Sequence, residues 1–511
     1  MLVDIKALIV VLAIAGLVFH LAKPAAVQFM SDADFARRRN VWMILTAVCF
    51  LAPNFWIYAF VAAPFFVSSN RRDATPVALF LWMLHVVPPV DVPIPLPGTG
   101  GGLLPLNNSR LLEVCVLLPA VLRFRKTQDA TTAIRFGAME VLLLAYGLLQ
   151  VVLYTPPDFP HHPVVQDTSL NIVRRIVSFL LDVYLLYYSV ALTCRSRRAM
   201  LDVAASFCLS CAVMAAIALF ENLRNWLLYT DIISHWANDP HAAFYLVRGG
   251  SVRAQVSAGH SIALGNILAV GFGFWLYLQT RIKTTPFRIG GTLLLLGGLY
   301  ATSSRGAWLG TAVIYFTFLA TSPGAASRVA KGAMLTAVLA GLVLASPLGD
   351  RILDMLPSSG APADMYRHRL SERGWALVMA HPFFGDRFPW PEMEDLRQGE
   401  GIIDIVNTYL GVALNYGLVG LFCFVTFILL GMKAVYTRAR DLAHSDPDLA
   451  LLGSGLIASI VGILVMIDSN SFALGCEKMF YTLAGLTSAY GVLAKRQPGR
   501  TVVGVGKSLQ N

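Results

Sequence analysis

Residues 366–387 read YRHRLSERGWALVMAHPFFGDR, inside 347–407, the one long polar excursion in the second half of the chain. An apolar run ends near Ser346 before it, and Asn407-Thr408-Tyr409-Leu410 opens the next one after it. The spacing predicts a helix over 366–380, with Arg369 and Arg373 four apart on one face. Leu370, Leu377, Val378 and Met379 supply its apolar side. His381-Pro382 ends it, because the residue before a proline avoids the α region. The excursion holds six arginines, at 351, 367, 369, 373, 387 and 397. A solvated surface helix is one reading of them. The other is an anion site at the membrane surface, since arginine is always charged and its planar fork matches phosphate.

Outward from this stretch the chain is apolar. The composition is 56% hydrophobic and 14% charged, with a mean hydropathy of +0.63, which excludes an ordinary soluble domain. Apolar runs recur from 6–22 to 478–494, separated by short basic turns. Read as spans, they give an all-α polytopic membrane protein of about 12–15 transmembrane helices with one large periplasmic loop. The runs 40–52 and 55–69 fit either a tight hairpin or one bent helix, because Ala52-Pro53-Asn54 breaks the middle. The first 23 residues read as a retained helix, since Asp4 comes early and no cleavage site follows. Four regions follow: 1–220, N-terminal helices; 221–346, central helices; 347–407, the large loop; and 408–511, C-terminal helices with a short tail.

The net charge of +10 needs no nucleic acid to explain it. Eight basic turns hold 25 of the 40 Lys and Arg residues, and short basic loops stay on the cytoplasmic side. That bias places loops 91–109, 154–174, 221–257 and 347–407 on the outer face. Seven cysteines are scattered, mostly inside apolar runs, with no spacing that suggests a disulfide or zinc site. The adjacent His161-His162 and the acidic run Glu392-Met393-Glu394-Asp395 read as surface residues, and no metal or cofactor is expected. Glu113, Glu140, Asp182 and Asp468 lie in apolar runs. Asp182, the most central, is expected to have a structural partner inside the bundle.

Two further motifs put arginine on the outer side. RAQVSAGHSIALG, 253–265, carries Arg253 and His260 at the mouth of an apolar run. SSRGAWLG, 303–310, sets Arg305 between two short runs. A single arginine at a helix end is ordinarily an interface anchor. Three arginine positions from distant stretches on one side point to an anionic ligand.

The ordered set RAxxxxGHxxxLG, SSRGAxLG, a loop helix with HPFFG, then NTYLGVALNYGLVGL resembles the O-antigen ligase/polymerase superfamily over about 250–430. The stretch RRNVWMILTAVCFLAPNFW together with VVPPVDVPIPLPGTG is similar to the exopolysaccharide polymerases of that group. The resemblance implies a GT-C-like, metal-independent glycosyltransferase at the periplasmic face of the bacterial inner membrane. Its donor would be an undecaprenyl-pyrophosphate-linked oligosaccharide, and its partners a chain-length regulator and a flippase. It implies a polymerase that transfers the glycan to a lipid-linked repeat unit, with the ligase reaction as the alternative; a transporter is the reading from another class. Arg253, Arg305 and Arg369 would hold pyrophosphate, with Arg367, Arg373, His260, Asn407 and Tyr409 contacting substrate. The ligases carry a candidate base, histidine, where this chain has Val406 in DIVNTYL. Asp404 is the expected substitute, with His260, His368, His381 and Glu400 as alternatives.

The topology gives a first test. Gln166→Cys, Asn238→Cys and Gln398→Cys should each react with a membrane-impermeant thiol reagent in cells whose outer membrane alone is permeabilised. Labelling that requires inner-membrane lysis would reverse the orientation.

Overall fold

The computed structural model describes residues 2–94, 104–127, 137–153, 169–237, 245–248, 250–344, 362–386, 389–398, 403–472 and 475–495. His161-His162, Arg351, Arg387 and Glu400 lie outside them. Long apolar segments leave the backbone one way to satisfy its polar groups in lipid, which is to bond within a helix. The described chain is accordingly helical, apart from two short antiparallel hairpins, Val92–Pro93 with Pro105–Leu106 and Val247–Arg248 with Ser251–Val252. The architecture is that of an all-α polytopic membrane protein.

Six of these helices are long and apolar enough to cross a membrane: Ile5–Ala26, Ile172–Thr193, Arg197–Arg224, Ser261–Arg281, Thr408–Leu442 and Pro447–Met466. Other apolar runs form shorter helices, such as the 17-residue Thr285–Ala301 and Arg305–Thr321. The turn between those two is buried, with Thr302, Ser303 and Ser304 at 0%, 2% and 3% exposure. The polar SSRGA turn therefore sits within the protein rather than at its edge. Ser261–Leu278 is the central helix, with almost every side chain buried. The 40–52 and 55–69 runs form two helices, Asp32–Leu51 and Phe55–Arg72, that pack against each other. Asn54 caps the second, and the Trp236 indole donates to the Ala52 carbonyl at 3.1 Å, pinning the break.

Buried charges tie distant helices together. The Arg38 guanidinium is fully buried and donates to Asp73 and to Asp202, each at 2.6 Å, joining the first helix pair to Arg197–Arg224. The partner expected for Asp182 is present twice over, as Arg110 at 2.7 Å and Lys478 at 2.8 Å. Glu113 is fully buried and accepts from Lys478 at 2.6 Å.

The polar excursion is docked by an apolar cluster, in which Leu370, Leu377 and Val378 pack with Leu410, Ala413 and Leu414, and by a joint of backbone hydrogen bonds. Its helix, Pro362–Ala380, buries Leu370, Leu377 and Val378 and stops before His381-Pro382, while Met379 stays exposed. The following HPFFG segment enters a break in Thr408–Leu442, where Gly417 has φ 65° and ψ −171°. A helix interrupted there has unpaired carbonyl and N–H groups. Leu418 N–H donates to the Pro382 carbonyl at 2.8 Å, and Asp386 N–H donates to the Leu414 carbonyl at 3.0 Å. Gly385, also at positive φ, completes the joint; a Cβ there would lie 2.2 Å from the Leu414 oxygen. A Cβ on Gly417 would meet the Phe383 oxygen at 2.2 Å.

Gly417→Val should therefore open this joint. A non-glycine residue in the left-handed region costs about 1–2 kcal/mol before any clash is counted. The expected result is faster proteolysis within 347–407 and a lower melting temperature in detergent, with membrane insertion retained; proteolysis at the wild-type rate would show that the joint does not hold the loop.

Candidate functional site: an arginine-lined cavity

The site is built on the turn between Thr285–Ala301 and Arg305–Thr321. Ser303 adopts φ 48°, an unusual conformation for a non-glycine residue, and the turn offers two carbonyls to cations from another segment. Arg253 Nε donates to the Thr302 oxygen at 3.0 Å, and Arg248 Nη1 donates to the Ser303 oxygen at 2.7 Å. Arg248 arrives on the short 247–252 hairpin. Arg253 follows directly after it and is 8% exposed. Arg305 begins the helix after the turn.

These side chains face one cavity of about 70 Å³, lined by Arg248, Arg253, Arg305 and Arg367 with Ile262, Ser304, Gly306, Ser469 and Asn470. None of those lining residues is acidic. Arg367 comes from the loop helix, so the HPFFG joint and the SSRGA turn bring their arginines to the same place. The packing explains the small residues of the motifs. A Cβ on Gly306 would lie 2.8 Å from Ser469 Oγ, and one on Gly265 would lie 2.8 Å from Ala307 Cβ.

The far wall is held by the NTYL segment. Asn407 caps its helix by accepting from Leu410 N–H at 3.0 Å and donates to Asp468 at 3.1 Å. Thr408 Oγ1 donates to the Asn470 carbonyl at 2.8 Å, and Tyr409 donates to the Leu464 carbonyl at 2.7 Å. Asn407 and Tyr409 thus fix the turn that carries Ser469 and Asn470, and neither lines the cavity itself.

The cations of the cavity act on one another. Burial, then Arg248 and Arg305, lower Arg253 to about 10, which still leaves it charged at neutral pH. His260 is lowered to about 4 by burial and by the charge of Arg253. Its Nδ1 accepts from Ile262 N–H at 3.1 Å, capping the central helix. A neutral ring whose Nδ1 accepts carries its proton on Nε2, so His260 faces outward as a donor.

The expected residues divide by geometry. Arg253, Arg305 and Arg367 converge. Arg369 is exposed and does not line the cavity, because two residues along a helix turn a side chain to nearly the opposite face. Arg373 is exposed and lies 3.7 Å from Asp395. Asp404 is outside the lining; its backbone carbonyl accepts from the Tyr366 hydroxyl at 2.9 Å. Arg248, Ser469 and Asn470 lie outside the motifs of the sequence. The polar Asp468-Ser469-Asn470 triplet between two apolar runs was the available signal.

These features define a polytopic α-helical membrane protein with a cationic cavity where its central helices end. Residues 290–425 match the family described as O-Antigen ligase, and the match supports the O-antigen ligase/polymerase superfamily for this chain. That stretch includes SSRGA, the loop helix, HPFFG and NTYL, while Arg248, Arg253 and His260 precede it. The family comprises enzymes of glycan transfer acting on lipid-linked glycans, and the match does not separate polymerase from ligase. No curated protein matches the chain.

The low titration point of His260 has a consequence for stability. The unfolded ring takes up its proton near 6.5 and the folded one near 4, so the unfolded chain binds more protons between them. Stability from this group is fully present above 6.5 and is lost as pH falls toward 4. His260→Asn, which keeps a capping side chain, should flatten the fall in melting temperature over that window. An unchanged slope would assign the acid sensitivity to other groups.

Proposed function

We propose that the chain is a polysaccharide polymerase of the inner membrane. It transfers an undecaprenyl-pyrophosphate-linked glycan onto a lipid-linked repeat unit at the periplasmic face. The observation that carries this reading is the convergence of Arg248, Arg253, Arg305 and Arg367 on one cavity without an acidic residue in its lining. A pyrophosphate leaving group gains charge as its bond to the anomeric carbon breaks, and fixed cations stabilise that charge. Arginine does this without a metal, and its fork can hold two phosphate oxygens at once. A flippase would deliver the lipid-linked units, and a chain-length regulator would act on the product. The ligase reaction uses the same donor site with another acceptor; Val406, in place of the ligase histidine, favours the polymerase.

Replacing Arg253 or Arg305 by Ala should abolish or greatly reduce long polysaccharide while the protein still inserts. Loss of one preorganised donor costs about a hundred- to a thousandfold in rate. Lys should rescue poorly, because it keeps the charge and loses the fork. Lipid-linked single repeat units should accumulate. Normal long-chain product from well-expressed Arg253→Ala and Arg305→Ala, read by gel electrophoresis of cell extracts, would remove the phosphate role.

A further inference from the structure

Next to the arginine cavity lies a larger one, of about 420 Å³. The two share a wall at the start of the central helix. Ile262 lines the arginine cavity, while His260 and Ala263 line the larger one. The lining of the second cavity differs in charge. Asp91, Asp182 and Glu477 face it together with Arg110 and Lys478, and Asn107 lies at the same surface.

Beneath this cavity the helices depart from regular geometry. Glu113–Leu117 and Phe179–Leu185 are π turns, each beginning at or containing a carboxylate bound to Lys478. Such turns occur frequently at functional sites. Arg110, Asp182 and Lys478 bond to one another, Glu113 accepts from Lys478 through Oε1 alone, and Asp91 accepts from Asn107 at 2.7 Å. Glu477 stands apart. Its side chain lines the cavity and, among the described residues, makes no hydrogen bond.

The volume falls within the range of small-ligand sites. An anion would meet three carboxylates, and an apolar ligand would strand the polar wall without partners. An uncharged, hydroxyl-rich ligand meets both donors and acceptors. On the glycan-transfer reading above, we infer that this cavity takes the acceptor sugar and that Glu477 accepts the proton of its attacking hydroxyl. The hydroxyl oxygen forms the new bond to the anomeric carbon. The bond from that carbon to the pyrophosphate oxygen breaks, its electron pair leaving with the pyrophosphate. The proton passes to a Glu477 carboxylate oxygen. His260, with its proton on Nε2, donates to the sugar and does not compete for that proton.

The test uses the full chain in lipid nanodiscs, with lipid-linked oligosaccharide extracted from host cells that lack this protein. Chain growth is followed by gel, and binding of undecaprenyl pyrophosphate is measured separately. Glu477→Gln should slow chain growth about a hundredfold or more, lose the acid limb of the pH–rate profile, and leave undecaprenyl pyrophosphate binding unchanged. Glu477→Asp should restore part of the rate, and Asp91→Asn should raise the KM for the oligosaccharide. Wild-type rate in Glu477→Gln overturns the inference. So does a Glu477→Gln protein that also loses undecaprenyl pyrophosphate binding, because the residue is then structural. A wild-type chain that binds undecaprenyl pyrophosphate but forms no polymer overturns the transfer reading itself, and the inference with it.

Discussion

Four guanidinium groups facing one small cavity repel one another, and the segments around that cavity are arranged to hold them there. At an effective dielectric near 20, two unit charges about 4 Å apart cost about 4 kcal/mol. A hydrogen bond from a charged group returns about 1.5–3 kcal/mol. The carbonyls of Thr302 and Ser303 restrain Arg253 and Arg248. The backbone of a buried turn, bent through a left-handed serine, supplies partial negative charge and no full one. On the proposed reading, an incoming anion completes the cavity.

The contrast with Arg38 separates support from function. Arg38 is more deeply buried than any arginine of the cavity, yet it is bound by two carboxylates, Asp73 and Asp202. Its charge is used up in joining helices. The Arg110–Asp182–Lys478–Glu113 cluster is intermediate, with acids and bases balanced along the wall of a cavity. Three charge clusters thus have three characters, set by how many carboxylates stand beside each cation.

The sequence made the helical class plain, because apolar runs and basic turns follow from lipid solvation alone. It also made the arginine motifs plain, since Arg253 and Arg305 sit in short polar words between apolar ones. The phase of the loop helix was harder to read. Arg367, His368 and Arg369 are consecutive, and which of them faces inward depends on how HPFFG seats in the break at Gly417. Nothing local to 366–373 records that contact. Lys478 was illegible for a related reason. One cation at the start of an apolar run looks like an anchor until the carboxylates opposite it, from helices hundreds of residues away in sequence, are seen.

The joint between HPFFG and the broken helix is made of main-chain atoms. Every residue carries a carbonyl and every residue but proline an N–H, so this fastening makes almost no demand on side-chain identity beyond Gly385 and Gly417. The exposed face of Pro362–Ala380 is thereby released from any anchoring duty. If the proposed glycan transfer holds, its residues can be exchanged to suit differently shaped saccharides while Arg367 stays in position, so substrate preference and phosphate handling would be written on separable parts of one helix.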